Sequence, residues 1–239
     1  GTTATATERF DRVVAVASAK GGVGKSTVAT TLACALADDE AVALFDADVH
    51  GPNLPSLLDV SGPVHSTDGD HPEPVAVQGE EAALELMSVG LLESGAPLAW
   101  RGSMAHEAVS ELFADTAWTN EGTLVIDLPP GTGDVVLTTL QEVPVDGVVV
   151  VTTPFHASVD DTARSVELFR DEGVPVLGAV VNMAGTTCPS CGETHELFPG
   201  DGVEGLAAPV LAELPFTPAL QTKPSPGTAP DLAAPLVDA

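Results

Sequence analysis

The stretch Ser18-Ala19-Lys20-Gly21-Gly22-Val23-Gly24-Lys25-Ser26-Thr27 (SAKGGVGKST) holds two of the chain's three lysines in one glycine-rich turn. Upstream, RVVAVASA (12–19) is an apolar run that predicts a buried strand. Downstream, KSTVATTLACALADD (25–39) predicts a helix. A strand, a glycine turn and Lys-Ser opening a helix make a phosphate-binding arrangement. The glycines let backbone N–H groups curl around phosphate oxygens, and the helix N-terminus adds the positive end of its dipole. Lys25 is then placed to reach the β- and γ-phosphates of a nucleotide, and the Ser26 hydroxyl to hold Mg2+. Gly21, Gly22, Val23, Gly24 and Thr27 complete this candidate cradle.

Further apolar runs follow: AVALFDAD (41–48), TLVIDLP (123–129), GVVVVTTP (147–154) and PVLGAVVN (175–182) read as strands, and PVLAELPF (209–216) as a short strand and turn. SMAHEAVSELFADTAW (103–118) and HASVDDTARSVELFRDEG (156–173) read as helices. This alternation predicts an α/β fold, an open, mostly parallel sheet flanked by helices on both faces. Ligands of such sheets sit beyond the carboxyl ends of the strands. Ser18, Asp46, Asp48, Asp127, Thr152 and Asn182 fall at those ends. The expected organisation is a flexible segment 1–11, a nucleotide-binding domain 12–222 with a C-x-x-C loop at 186–195, and an irregular Pro/Ala-rich tail 223–239.

Of 239 residues, 44% are hydrophobic and only 4% aromatic, so the core is aliphatic. The formal net charge is −27, from 35 acidic and 8 basic residues. The acids are dispersed, as in ADDE (37–40), TDGDHPEP (67–74) and GEE (79–81), which describes a solvated shell. Such a lysine-poor surface resembles proteins of salt-loaded cytoplasms, where salt screens self-repulsion. It disfavours nucleic acid as a partner. Three cysteines do not make a disulfide scaffold. The chain opens without a signal peptide and has no apolar run near the ~20 residues of a membrane span. The expectation is a cytoplasmic protein with no membrane partner, and Gly1 in place of Met suggests a processed or engineered start.

Glycine at position 19 would complete the pattern G-x-x-x-x-G-K-[ST]; the chain has Ala19. The pattern that fits is K-G-G-x-x-K-[ST], which resembles the deviant P-loop of the nitrogenase iron protein, MinD, ParA and the Mrp/ApbC carriers (SIMIBI type). The resemblance implies that Lys20 reaches across a dimer to the partner's nucleotide. It implies that Asp48, in LFDADVHGPNLP (44–55), orients the attacking water, with Asp46 beside it. Asp127, ending the strand in LVIDLPPGTGD (124–134), fits a carboxylate that holds Mg2+. The resemblance also implies that Asn182 reads adenine and that Pro215, in ELPFTP (213–218), belongs to a loop covering the base.

TTCPSCGETH (186–195) carries Cys188 and Cys191, whose spacing lets two thiolates share one metal or cluster. Three readings stand side by side: a thioredoxin-like redox pair, a zinc site within one chain with His195, and a [4Fe–4S] site built from four thiolates of two chains. Cys34 reads as a small core residue. SAKGGVGKST, DADVHGPNLP, PLAWRGSM (97–104), VIDLPPGTGD, VTTP (151–154) and VNMAGTTCPSCGE (181–193) come in the order of Mrp/ApbC-type iron–sulfur cluster carriers, a resemblance spanning about 12–218. It implies an ATP-dependent homodimer with slow hydrolysis. Such a dimer holds a [4Fe–4S] cluster between Cys188 and Cys191 of two subunits and delivers it to apo iron–sulfur proteins, with assembly factors as further partners. The departures expected from the family pattern are the absence of the small N-terminal domain often found there, the acidic stretch between Asp59 and Leu84, and His156 after VTTP. The rival reading is a MinD/ParA-like positioning or partition ATPase whose cysteine pair binds structural zinc. Against it, the tail TAPDLAAPLVDA (228–239) is acidic and proline-broken.

Overall fold

A computed structural model of the chain describes residues 6–49, 51–61, 71–77, 83–92, 103–188, 190–197 and 203–216. Its elements in chain order are β1 (Arg12–Ala17), α1 (Lys25–Leu36), β2 (Val42–Asp46), α2 (Leu54–Leu58), β3 (Val75–Ala76), β4 (Leu84–Ser88), α3 (Ser103–Asp115), β5 (Thr123–Asp127), α4 (Asp134–Glu142), β6 (Gly147–Thr152), α5 (His156–Asp171), β7 (Val176–Thr187), β8 (Thr194–Glu196) and β9 (Val210–Phe216). A 3-10 turn, Val89–Leu91, follows β4.

The strands form one sheet in the order β3-β4-β2-β5-β1-β6-β7, with β8 and β9 both on β7. Pairing is parallel except for β3 on β4 and β8 on β7. Each central strand buries both faces, which is why they read as unbroken Val, Leu and Ala. One face carries Val14, Val16, Leu44, Val125 and Val149 against Val28, Leu32 and Leu36 of α1. The other carries Ala15, Phe45, Ile126 and Val150 against Phe113 of α3, Leu140 of α4 and Phe169 of α5. The expected α/β architecture is what the chain adopts.

Several expectations shift. Within residues 6–11, Phe10 is buried, its ring 6.0 Å from that of Trp118 in a T-shaped contact. The strand expected to stop at Asn182 runs on to Thr187, past Met183 at φ 59 and an irregularity in its pairing with β9. Elements α2, β3, β4, α4 and β8 were not anticipated. The expected tail 223–239, most of the acidic stretch between Asp59 and Leu84, and residues 97–102 of PLAWRGSM lie outside the described residues.

Candidate functional site

Beyond β1, the turn that joins it to α1 is shaped by Gly22 and Gly24, at φ 83 and φ 87, where a side chain would strain the backbone. Ser18 braces it: its hydroxyl donates to the Lys20 carbonyl at 2.9 Å, and its own carbonyl accepts from the Gly131 N–H at 2.8 Å. Gly24 caps α1 and, being glycine, offers no side chain to the first turn of that helix. Those N–H groups and the helix dipole therefore face an open cavity of about 420 Å3. Its walls include Gly21, Lys25, Ser26, Thr27, Asp48 and Pro130. An anion is what such a lining suits.

Lys25 is buried, and its Nζ lies 2.5 Å from Asp127 Oδ1 at the end of β5. Burial pushes the Asp127 carboxyl above its ordinary value, while the Lys25 ammonium pulls against that rise. Asp127 Oδ2 is buried without a hydrogen-bond partner among the described residues. A buried carboxylate oxygen left open behind Lys25, next to the cavity that Lys25 and Ser26 line, suits a hydrated Mg2+. Asp46 faces Asp127 across β2 and β5. Burial first, and the Asp127 charge second, push the Asp46 carboxyl up to about 7. Asp46 spans the loop that follows it: Oδ1 accepts from Asp48 N at 3.2 Å, and Oδ2 from Leu54 N at 3.4 Å and from Ser88 Oγ at 2.9 Å. Asp48 is 9% exposed, lines the cavity, and accepts from Gly51 N at 3.2 Å.

Asn182 is buried behind the turn, not beside it. Its Nδ2 donates to the Val23 carbonyl at 2.9 Å. A Cβ on Gly24 would come within 2.2 Å of that nitrogen. The amide therefore occupies the space that glycine leaves open. Pro215 lies within β9, one residue past the pairing of Leu214 with Asn182. The segment Glu213–Phe216 is therefore strand where a loop was expected, and residues 217 and 218 lie outside the described residues. Among the described residues β9 pairs only with β7, so its proline sits on an edge strand. Lys20, unlike Lys25, is exposed and is ion-paired with Asp161 of α5, which also holds Arg164.

The cysteine pair sits in the turn between β7 and β8. The Cys188 N–H donates to the Glu193 carbonyl and the Gly192 N–H to the Cys188 carbonyl, each at 2.8 Å. Gly192 takes φ 73. Backbone N–H groups of Cys191 and then Ser190 point at the Cys188 sulfur and lower its pKa from the ordinary thiol value. No helix begins at Cys188, so the thioredoxin-like placement does not apply. His195 pairs with Thr186 across the hairpin and is exposed. Among the described residues, no group of three or more His, Cys, Asp or Glu side chains is arranged to hold a metal within one chain. Cys34 is fully buried in α1, its thiol pushed up to about 12 by burial and then by Asp38, as a core residue would be.

Sequence reasoning passed over Ser88, the hydroxyl at the end of β4 that touches Asp46. Its position at a strand's carboxyl end was the available signal, but β4 itself had gone unread. Asp161 offered no signal, because its pairing with Lys20 is long-range.

A family model described as ParA, NUBPL iron-transfer P-loop NTPase, matches residues 9–235. The iron-sulfur cluster carrier protein of Pseudomonas fragi is 43% identical over 210 residues, covering 85% of this chain and 72% of that one. The iron-sulfur cluster transfer protein NUBPL of Mus musculus is 40% identical over 217 residues, covering 87% and 67%. The chain spans only 59% of the carrier of Escherichia coli (strain K12), to which it is 39% identical. Among solved structures, an Archaeoglobus fulgidus nucleotide-binding protein in complex with ADP superposes with a TM-score of 0.77 at 31% identity, covering 96% of this chain and 93% of that one. The cell division ATPase MinD of Pyrococcus furiosus shares the fold, with a TM-score of 0.67 at 20% identity and coverage of 96% and 99%. With its phosphate turn, its buried acids and its cysteine hairpin in one matched span, the chain belongs to the NUBPL iron-transfer family of ParA-type P-loop NTPases.

Proposed function

We propose that this chain is an ATP-binding, ATP-hydrolysing carrier. It accepts a [4Fe–4S] cluster between Cys188 and Cys191 of two copies and passes it to apo iron–sulfur proteins in the cytoplasm, with assembly factors supplying it. The observation that supports this most is the C-P-S-C hairpin. Its backbone already favours the Cys188 thiolate, and it brings two sulfurs where a cluster needs four. A two-fold axis supplies the other two.

In this reading the ATPase domain is 12–222. The backbone of Gly21, Gly22, Val23, Gly24 and Thr27 cradles the phosphates, and Lys25 leaves Asp127 to meet the β- and γ-oxygens. Ser26 and Asp127 would hold Mg2+, which neutralises phosphate charge. Asp48, kept in place by Asp46, orients the attacking water. Lys20 gives up Asp161 to reach the partner's nucleotide. Asn182 reads the base with the part of its amide that Val23 does not use, and Pro215 stands beside it.

Anaerobic reconstitution tests the reading, in salt that screens the net charge of −27. A band near ~400 nm with about four irons per dimer, lost in Cys188→Ala/Cys191→Ala, is the expected result. Zinc at about one per dimer with no cluster uptake would make the hairpin a structural clasp.

A further inference from the structure

Asp46 and Ser88 are register partners at the ends of β2 and β4, and both are fully buried. The Ser88 hydroxyl donates to Asp46 Oδ2 at 2.9 Å and accepts from the Gly90 N–H at 3.1 Å. It thus joins the Asp46 carboxylate to the 3-10 turn that leaves β4. The same carboxylate accepts the N–H groups of Asp48 and Leu54, the two ends of the loop that carries Asp48. Between those ends, Pro52 lies on Gly90: a Cβ there would come within 3.2 Å of Pro52 Cβ and 3.3 Å of Pro52 Cγ. The loop is therefore pinned at both ends by one carboxylate, whose orientation a hydroxyl fixes, and held in the middle by a glycine shelf.

We infer that Ser88 and Gly90 are positioning residues for Asp48, and that the exit of β4 sets where the carboxylate of the hydrolytic water stands. Neither residue lines the phosphate cavity. Ser88 acts through Asp46, and Gly90 through Pro52. A serine that merely satisfies a turn would affect folding alone. A serine that orients Asp46 affects turnover at unchanged nucleotide affinity, because P-loop contacts to phosphate do not pass through it. The inference rests on the hydrolysis reading above, so its test includes a measurement that needs no hydrolysis.

Ser88→Ala and Gly90→Ala are compared with the unaltered chain in three ways. These are binding of a fluorescent ATP analogue, turnover at saturating Mg2+ and ATP, and amide exchange of residues 48–57 without nucleotide. Each variant is expected to lose about tenfold in turnover, Ser88→Ala through the lost hydrogen bond to Asp46 and Gly90→Ala through the displaced Pro52, while binding stays within about twofold. Amides 48–54 should exchange about tenfold faster in Ser88→Ala, with the central strands unchanged. Unchanged loop exchange and turnover in both variants would overturn the inference. So would a parallel loss of binding, turnover and amide protection in the central strands, the mark of a purely structural role. If the unaltered chain shows no turnover, the hydrolysis reading fails, and loop exchange alone decides whether Ser88 and Gly90 hold the loop.

Discussion

The cavity beside the Lys25 turn and the cysteine hairpin lie on one chain and are built in opposite ways. Around the cavity the polar groups are sunk into the carboxyl end of the sheet: Lys25, Asp46, Ser88, Asp127 and Asn182 are all buried. The hairpin hangs beyond the sheet on β7, and residues 190–197 are exposed throughout. A polyphosphate is best bound by dipoles and charges fixed beforehand, which burial achieves at a cost in stability. On the proposed reading the hairpin's cargo must enter and leave, which needs ligands that are reachable and held only by a local turn. The cavity should therefore be coupled to folding, and the hairpin should not.

The largest effect expected is from Lys25→Ala. Removing the ammonium leaves Asp127 buried without its cation, which in general costs about 3–5 kcal/mol. Asp127 relieves part of this by taking up a proton, so the loss should be greater at pH 8 than at pH 5. Urea titrations at the two pH values read it, and nucleotide binding should vanish in parallel. A variant as stable as the parent would break the link between cavity and fold.

Gly24→Ala comes next. A methyl there meets Asn182 Nδ2 at 2.2 Å, and φ 87 disfavours any side chain. The turn must move or Asn182 must let go of Val23, for a loss of about 1–3 kcal/mol and at least tenfold in nucleotide affinity. Asn182→Ala removes only the hydrogen bond and should cost about 1 kcal/mol. Equal effects from the two would mean that the methyl meets no real obstacle.

How legible each region was follows from the same contrast. Strands β1, β5 and β6 announce themselves, because a strand buried on both faces must be continuously apolar. The Lys-Gly-Gly turn and the acids at strand ends could be read because a phosphate site dictates residue types at fixed spacing. Strand β4 could not be read: Glu85 stands second in LELMS, yet it is buried because its carboxylate accepts from Thr119 N, Thr119 Oγ1 and Asn120 N. That is a tertiary bond between distant segments, invisible to periodicity. The position of Asn182 under Val23, and the pairing of Lys20 with Asp161, depend likewise on contacts across the fold. The hairpin was legible as C-x-x-C, but the extension of β7 that carries it was not, because GTT (185–187) has no strand signature.

Asp46 gives the contrast a pH dependence. Its native pKa of about 7 stands above the ordinary carboxyl value of 3.8. Between those values the folded chain binds a proton that the unfolded chain has lost, so stability falls as pH rises from about 4 to 7 and then levels off. Asp46→Asn removes the titration. The difference between parent and variant should change by about 1 kcal/mol per pH unit across that window, with the variant gaining ground at the alkaline end. Comparing the two chains cancels the general acid-side gain of so acidic a protein. A flat difference would mean that Asp46 is charged throughout and that Lys25 serves both aspartates.

The smallest effect should come from the hairpin. In Cys188→Ala/Cys191→Ala the bonds that close the turn remain, because they run between the backbone of Cys188 and that of Gly192 and Glu193. The deleted sulfurs are not part of any core cluster, unlike that of Cys34. Stability without cluster should thus stay within about 0.5 kcal/mol of the parent, the usual range for surface changes. By contrast, Cys34→Ser places a hydroxyl in the fully buried α1 face and should cost about 1–3 kcal/mol. The pair of variants places three cysteines on one stability scale. If the exposed pair proved as costly as the buried one, the hairpin would belong to the folding unit, and cargo release would have to work against the stability of the whole chain.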